Sequence, residues 1–188
     1  IDKQDPSDGK LRSMGIACFI ESSAAGPPES ASITVSSTGD IEVRTGASSV
    51  GQGTETGLAQ ICAEYLDIEI ERVEVSHGST TLVKTGGGTF HSRNTVMAGN
   101  ATRIAAKKVK EKAKELAALR WNCHPTELTY ENGEVCRSPD RYTLQELATF
   151  AETRGDILSA DATFDNEKKL SYSYGCLLYT SPSPRDLD

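Results

Sequence analysis

Two glycine-rich segments, each followed by a helix-forming sequence, limit most strongly how this chain of 188 residues can fold. Loop 1 (residues 50–57) reads Val-Gly-Gln-Gly-Thr-Glu-Thr-Gly, and loop 2 (residues 85–93) reads Thr-Gly-Gly-Gly-Thr-Phe-His-Ser-Arg. Glycine allows positive φ and close backbone approach, and the first turn of a helix has free N–H groups. Such loops are typical of phosphate or other anion sites, although a tight strand-to-helix turn explains loop 1 equally well and a surface loop remains an alternative for loop 2.

The apolar periodicity around these loops predicts an α+β fold, a mixed sheet with helices that follow both loops. Residues 31–35 and 41–45 alternate apolar and polar side chains, which predicts a hairpin. Spacings of three and four residues predict helices over 54–66 and 95–119, and Thr143 with Glu146 predicts a capping box for a helix over 143–153. Further strands are predicted at 14–22, 73–75, 128–130, Val135, 158–164 and 172–175.

Composition excludes several classes of partner and site. The chain has 20 Lys and Arg against 27 Asp and Glu, a net charge of −7, which argues against nucleic acid and anionic membranes as partners. The chain contains no run of 18 apolar residues, so no membrane-spanning helix is predicted. The five cysteines include no C-x-x-C pair, so we expect reduced and mostly buried thiols rather than a zinc or iron–sulfur site.

Both ends of the chain suggest a fragment. The sequence begins with Ile1 and not with Met, so we expect the natural N-terminus to lie upstream. Residues 176–186 translate back, codon by codon, into a sequence that resembles a transposon-type sequencing adaptor; a natural Pro/Ser-rich tail is the alternative. We therefore expect a last strand that is cut off at Gly175, native sequence over 1–175 and a non-native tail over 176–188.

The two loops together resemble a known family. Gly51-Gln52-Gly53 with Thr56, residues 88–93 and residues 98–101 (Ala-Gly-Asn-Ala) occur here in one order. This combination resembles the molybdenum-cofactor-binding large subunit of the xanthine dehydrogenase, aldehyde oxidase and carbon monoxide dehydrogenase family. The resemblance runs from about Gly15 to Gly175 and implies that residues 1–175 are part of a molybdopterin-binding domain.

The resemblance implies a molybdopterin cofactor, which in this family is often extended by a cytosine nucleotide to the dinucleotide form, and a set of residues that bind it. Gln52 is expected near the molybdenum without being a direct ligand, and no catalytic or metal-ligating residue is expected in this fragment. His91 and Ser79 depart from the residues common in the family at their positions. The expected cofactor-binding residues are Gly51, Gln52, Gly53, Thr56, Gly88, Thr89, Phe90, His91, Ser92 and Arg93.

The same resemblance implies an oxidoreductase that hydroxylates a small molecule with oxygen from water. Its electrons would pass to iron–sulfur clusters and FAD on partner subunits or domains, in a cytoplasmic complex expected to be a homo-oligomer. The family's glutamate base lies beyond the position of Gly175, so the fragment alone is expected to be inactive. Two alternatives remain: an NAD(P)-type nucleotide-binding enzyme, with Glu74 about 20 residues after loop 1, and a non-catalytic interaction module.

Overall fold

The structure is a computed structural model that describes residues 12–83, 86–167 and 171–182; Thr85 of loop 2 lies outside them. Within these ranges the chain forms three α-helices: α1 (Thr54–Leu66), α2 (Gly99–Trp121) and α3 (Leu144–Thr153). The strands are β1 (Arg12–Ser22), β2 (Glu29–Val35), β3 (Ile41–Thr45), β4 (Val73–Ser76), β5 (Thr129–Glu131), β6 (Glu134–Arg137), β7 (Asp140–Thr143), β8 (Ser159–Phe164) and β9 (Tyr172–Pro182).

A four-stranded sheet in the order β4-β3-β2-β8 forms the centre of the fold. β2 and β3 are the predicted antiparallel hairpin, whereas β4 pairs with β3 in parallel. Alternate residues of β2 and β3 are buried, so one face of the sheet is apolar and is covered by α1 and α2. The α+β prediction is therefore confirmed, and the mixed strand directions differ from the parallel sheet of an NAD-type dehydrogenase.

The helix predictions are confirmed with one change. α1 and α3 have the predicted positions, and Thr143 with Glu146 forms the predicted capping box. The long helix expected from Thr95 begins instead with a π-helical turn over Asn94–Ala98, and regular α-helix starts at Gly99. Gly99 packs closely on α1, because a Cβ there would lie 2.9 Å from Cδ1 of Ile61.

A small three-stranded sheet, β5-β6-β7, covers another part of the core. The sequence predicted its first two strands but not β7. β7 contains Asp140 and Arg141, both exposed, so it lacks the apolar alternation by which half-buried strands are recognised.

β1 and β9 form a separate antiparallel ribbon in which Cys18 lies opposite Cys176. The strand predicted to be cut off at Gly175 continues to Pro182, because the following residues remain extended and pair with β1. The ribbon exposes both faces, with Ile16 on one face and Phe19 on the other. The origin of residues 176–188 stays a prediction.

The cysteines are all free, but the prediction that most are buried is wrong. Only Cys62 is buried, and burial raises the pKa of its thiol to about 12. Cys18 and Cys176 are exposed because they lie on the two-stranded ribbon. Within the ranges that the structure describes, no helix is long and apolar enough to cross a membrane.

Candidate functional site

Loop 1 presents an open backbone at the start of α1. Gly51 and Gly53 have φ values of 97° and 78°, in the left-handed region that favours glycine. A Cβ at either position would have no heavy atom within 4 Å. No side chain caps the N-terminus of α1. The glycines therefore leave space beside free N–H groups, as a bound anion requires.

Gln52 folds partly back on loop 1. Its side-chain oxygen accepts a hydrogen bond of 2.7 Å from the backbone N–H of Val50. Because the oxygen is used inside the loop, the amide nitrogen is the end that can donate to a ligand. Gln52 itself is exposed.

Loop 2 is packed tightly against the rest of the protein. A Cβ on Gly86 would lie 2.5 Å from the carbonyl oxygen of Gly46, and a Cβ on Gly87 would overlap the guanidinium group of Arg93. These two glycines therefore make room for the protein's own atoms. Gly88 differs, since its φ of 80° is the feature that requires glycine.

Arg93 is fully buried beneath loop 2. Its guanidinium group lies 2.9 Å from the carboxylate of Glu29, and both side chains have no exposed surface. It also donates hydrogen bonds to the carbonyl oxygens of Ala25, Pro27 and Gly88. The sequence predicted a cation offered to a phosphate, whereas these contacts join Arg93 to protein groups. A direct contact with the cofactor stays a prediction.

His91 and Ser92 hold a strained backbone in the middle of loop 2. Both have positive φ, 48° and 46°, and a residue in this region costs on the order of 1–3 kcal/mol unless it is glycine. The carbonyl oxygen of His91 accepts a hydrogen bond from the backbone N–H of Ala24. The ring Nδ1 of His91 lies 3.3 Å from the hydroxyl of Ser22. These contacts hold the strained backbone against the end of β1.

Asn94 and Ser48 join the two loops. The carbonyl oxygen of Ser48 accepts hydrogen bonds from the Thr89 hydroxyl and from the Asn94 amide. The same amide nitrogen lies 3.0 Å from the hydroxyl of Thr54, the first residue of α1. The side-chain oxygen of Asn94 is buried and has no partner among the residues described. Asn94 is not among the residues predicted for the site, although an asparagine at the entry of a helix after a glycine loop is a recognisable signal.

A cavity of about 340 Å³ lies between the two loops. Six predicted cofactor-binding residues line it, together with Val50, Asn94 and Thr95: Gln52, Thr89, Phe90, His91, Ser92 and Arg93. The other four predicted residues do not line the cavity but lie close in sequence to residues that do. Gly51, Gly53 and Gly88 adopt positive φ, and Thr56 is exposed in the first turn of α1.

An acidic and a histidine side chain meet at the start of α1. Nε2 of His77 lies 2.7 Å from the carboxylate of Glu55. This hydrogen bond is the main reason why the pKa of Glu55 is below its usual value. Across the described ranges, no three His, Cys, Asp or Glu side chains are grouped so that they could hold a metal ion. The polar side chains that line the cavity belong instead to Gln52, Thr89, His91, Ser92, Asn94 and Thr95, and to the ion-paired Arg93.

Comparison with known proteins identifies similar chains. Residues 2–180 match the model of the molybdopterin cofactor-binding domain family. The chain is 38% identical over 181 residues to the 6-hydroxypseudooxynicotine dehydrogenase complex subunit gamma of Paenarthrobacter nicotinovorans, covering 92% of this chain and 23% of that protein. It is 35% identical over 153 residues to the carbon monoxide dehydrogenase large chain of Afipia carboxidovorans, covering 74% and 19%.

A solved structure shares the fold. Reconstituted CO dehydrogenase from Oligotropha carboxidovorans superposes with a TM-score of 0.73 at 30% identity, over 91% of this chain and 24% of that one. The chain thus spans between 19% and 24% of the length of these relatives. Since the family model matches nearly the whole sequence, the chain belongs to the family of molybdopterin cofactor-binding domains.

Proposed function

We propose that this chain forms part of the catalytic subunit of a molybdenum hydroxylase and binds molybdopterin between loop 1 and loop 2. The observation that carries the proposal is the meeting of the two loops at one cavity, joined by Ser48 and Asn94. A pair of unrelated turns would not need a shared hydrogen-bonded wall. This chain alone is proposed to be inactive.

The residues at the cavity fit a phosphate-bearing pterin. The backbone of Gly51 and Gly53 and the free N–H groups of α1 suit an anionic group. The unpartnered oxygen of Asn94 can accept a hydrogen bond from an amino group. Ten residues are proposed to hold the cofactor directly or through the loop backbone: Gly51, Gln52, Gly53, Thr56, Gly88, Thr89, Phe90, His91, Ser92 and Arg93.

When bound, the molybdenum cofactor supplies the redox chemistry of a hydroxylation, in which a carbon exchanges hydrogen for a hydroxyl from water and releases two electrons and two protons. The chain's own residues bind and orient the cofactor. Gln52 donates its amide N–H toward the group in the cavity, and Asn94 fixes the two loops relative to each other. The general base is proposed to lie outside this chain.

Partners follow from the redox chemistry. Electrons released by the substrate need an acceptor, and we propose iron–sulfur clusters and FAD on partner subunits or domains of a homo-oligomeric, cytoplasmic complex. One relative is by name a subunit of a dehydrogenase complex. The five free cysteines agree with a reducing compartment. The cytosine dinucleotide form of the cofactor belongs to the same proposal.

The proposal is tested by measuring molybdenum and released nucleotide in the full-length protein, purified from cells that make the cofactor. We expect equimolar molybdenum, and CMP on acid release if the cofactor is the dinucleotide form. Gly53→Val should abolish retention, because a branched side chain blocks the open space and resists positive φ. Gly57→Ala is the matched control, since its Cβ meets nothing within 4 Å and its φ is ordinary.

Folded full-length protein that contains no molybdenum, although it was purified from cells that make the cofactor, would contradict the proposal. So would Gly53→Val protein that retains as much molybdenum as the wild type. The interaction-module alternative predicts that second result. Tight NAD binding without molybdenum would favour the nucleotide-binding alternative.

A further inference from the structure

We propose that Glu29 and Arg93 are positioning residues: their buried ion pair holds loop 2 in the shape that binds the cofactor. Arg93 then acts through the loop and not as a ligand of the phosphate. This inference rests on the proposed function. It starts from an observation that the function does not use, a fully buried pair of opposite charges beneath a glycine run.

The carboxylate of Glu29 ties the start of β2 to the middle of loop 2. One oxygen accepts the N–H of Ser30 at 3.2 Å, and the other accepts the N–H of Gly87 at 2.9 Å. The second oxygen also accepts a hydrogen bond from Arg93 at 2.9 Å. Glu29 is therefore bonded to the loop at Gly87 and at Arg93, on both sides of the residues that line the cavity.

The guanidinium group of Arg93 completes the connection. It donates to the carbonyl oxygens of Ala25 at 3.1 Å, Pro27 at 2.5 Å and Gly88 at 2.7 Å. A planar fork of five N–H groups can bind these partners and a carboxylate at once, which a lysine ammonium cannot do. Gly87 lacks a Cβ at the place where the guanidinium group lies.

Residues 89–92 are held between these two anchors. Phe90 lies over the guanidinium group, 5.3 Å from ring centre to Cζ, and its ring fills the space that Gly26 leaves free. His91 and Ser92 keep positive φ in the same span. A backbone segment in a strained conformation persists only when the contacts around it hold it there. The ion pair provides such contacts.

The test compares Glu29→Gln and Arg93→Lys with Glu134→Gln, which removes the carboxylate of an exposed ion pair with Arg141. Hydrogen exchange over residues 86–95 is measured in full-length protein made without the cofactor. Molybdenum content is measured in protein made with it. The double variant Glu29→Gln/Arg93→Gln removes both charges, so it leaves no unpaired charge in the interior. It takes the place of a single variant that does not fold.

We expect exchange over 86–95 at least about tenfold faster in the folded variants, with protection of β2 and β3 retained. Most of the molybdenum should be lost, and Glu134→Gln should match the wild type in both measurements. Unchanged exchange and unchanged molybdenum in folded variants would overturn the inference. If the wild type itself holds no molybdenum while exchange still rises, the proposed function fails and the ion pair positions loop 2 for another purpose.

Discussion

At Gly51 and Gly53 of loop 1 the space beside the backbone is open, whereas at Gly86 and Gly87 of loop 2 it is filled by the protein's own atoms. Both segments are rich in glycine and both lead into helices. In loop 1 the missing side chains leave open the space in which the cofactor is proposed to bind, and they allow positive φ. In loop 2 they allow the chain to pack against Gly46 and around Arg93.

The difference shows that a glycine run near a binding site can serve the fold and the ligand at different positions. Loop 2 gains a rigid base from Gly86 and Gly87, and that base presents residues 89–92 to the cavity. Loop 1 contributes exposed backbone instead. Substitutions at the packed glycines of loop 2 should therefore lower the free energy of unfolding strongly. Substitutions at the open glycines of loop 1 should lower it less, and their main effect should be loss of the cofactor.

The largest effect is expected for Gly86→Ala. Its Cβ would meet backbone atoms of Gly46, which cannot move aside as a side chain could. We expect the free energy of unfolding to fall by about 3 kcal/mol, measured by urea denaturation. Gly57→Ala, in the first turn of α1, should instead be neutral or stabilising by up to about 1 kcal/mol. An equal change in the free energy of unfolding for the two substitutions would contradict the difference between the loops.

Asn94→Asp should have the next largest effect, because Asn94 joins the loops. The substitution removes the N–H groups that reach Ser48 and Thr54 and places a carboxylate against a carbonyl oxygen. We expect a loss of about 2 kcal/mol in the free energy of unfolding and a matching loss of bound molybdenum. Retention of both would show that the loops do not depend on this connection.

Gly53→Ala tests loop 1 with a smaller expected effect. Nothing would clash with the new Cβ, so the cost comes from the φ of 78° alone, about 1 kcal/mol. Gly53→Asn should recover much of it, since asparagine tolerates the left-handed region and is a good N-cap. Thermal unfolding of the pair provides the measurement, and an equal melting temperature for both variants would contradict the backbone explanation.

The smallest effect is a pH dependence at Glu55. The pKa of this carboxylate is lowered in the folded protein from its usual 4.5, mainly by the hydrogen bond to His77. The stabilisation is therefore present above pH 4.5 and is lost as the pH falls through the lowered pKa. The melting temperature of wild type should exceed that of Glu55→Gln at pH 7, and the gap should close in acid. A gap that is constant with pH would contradict this.

Periodicity predicted the parts of the fold in which one face of an element is buried. α1, the β2–β3 hairpin and the capped α3 follow directly from apolar spacing and from Thr143 with Glu146. β7 escaped prediction because its charged residues carry no alternation. The π-helical turn at Asn94 escaped because its residues suit an ordinary helix equally well.

The sequence named residues of the candidate site, whose role in binding the cofactor stays a prediction, but it did not give their arrangement. The loop residues could be named from the motif, and six of them do line one cavity. Sequence could not place Arg93 beneath the loop, because its partner Glu29 lies 64 residues away and carries no local signal. The link through Asn94 and Ser48 is equally non-local, at 46 residues.

The central claim is that both loops bind one cofactor, and hydrogen exchange of the full-length protein with and without molybdopterin tests it most directly. We predict that residues 50–57 and 86–95 become protected together in the loaded protein, while β5, β6 and β7 exchange at the same rate in both forms. Protection of only one loop, or no difference between the two forms at either loop, would contradict the account.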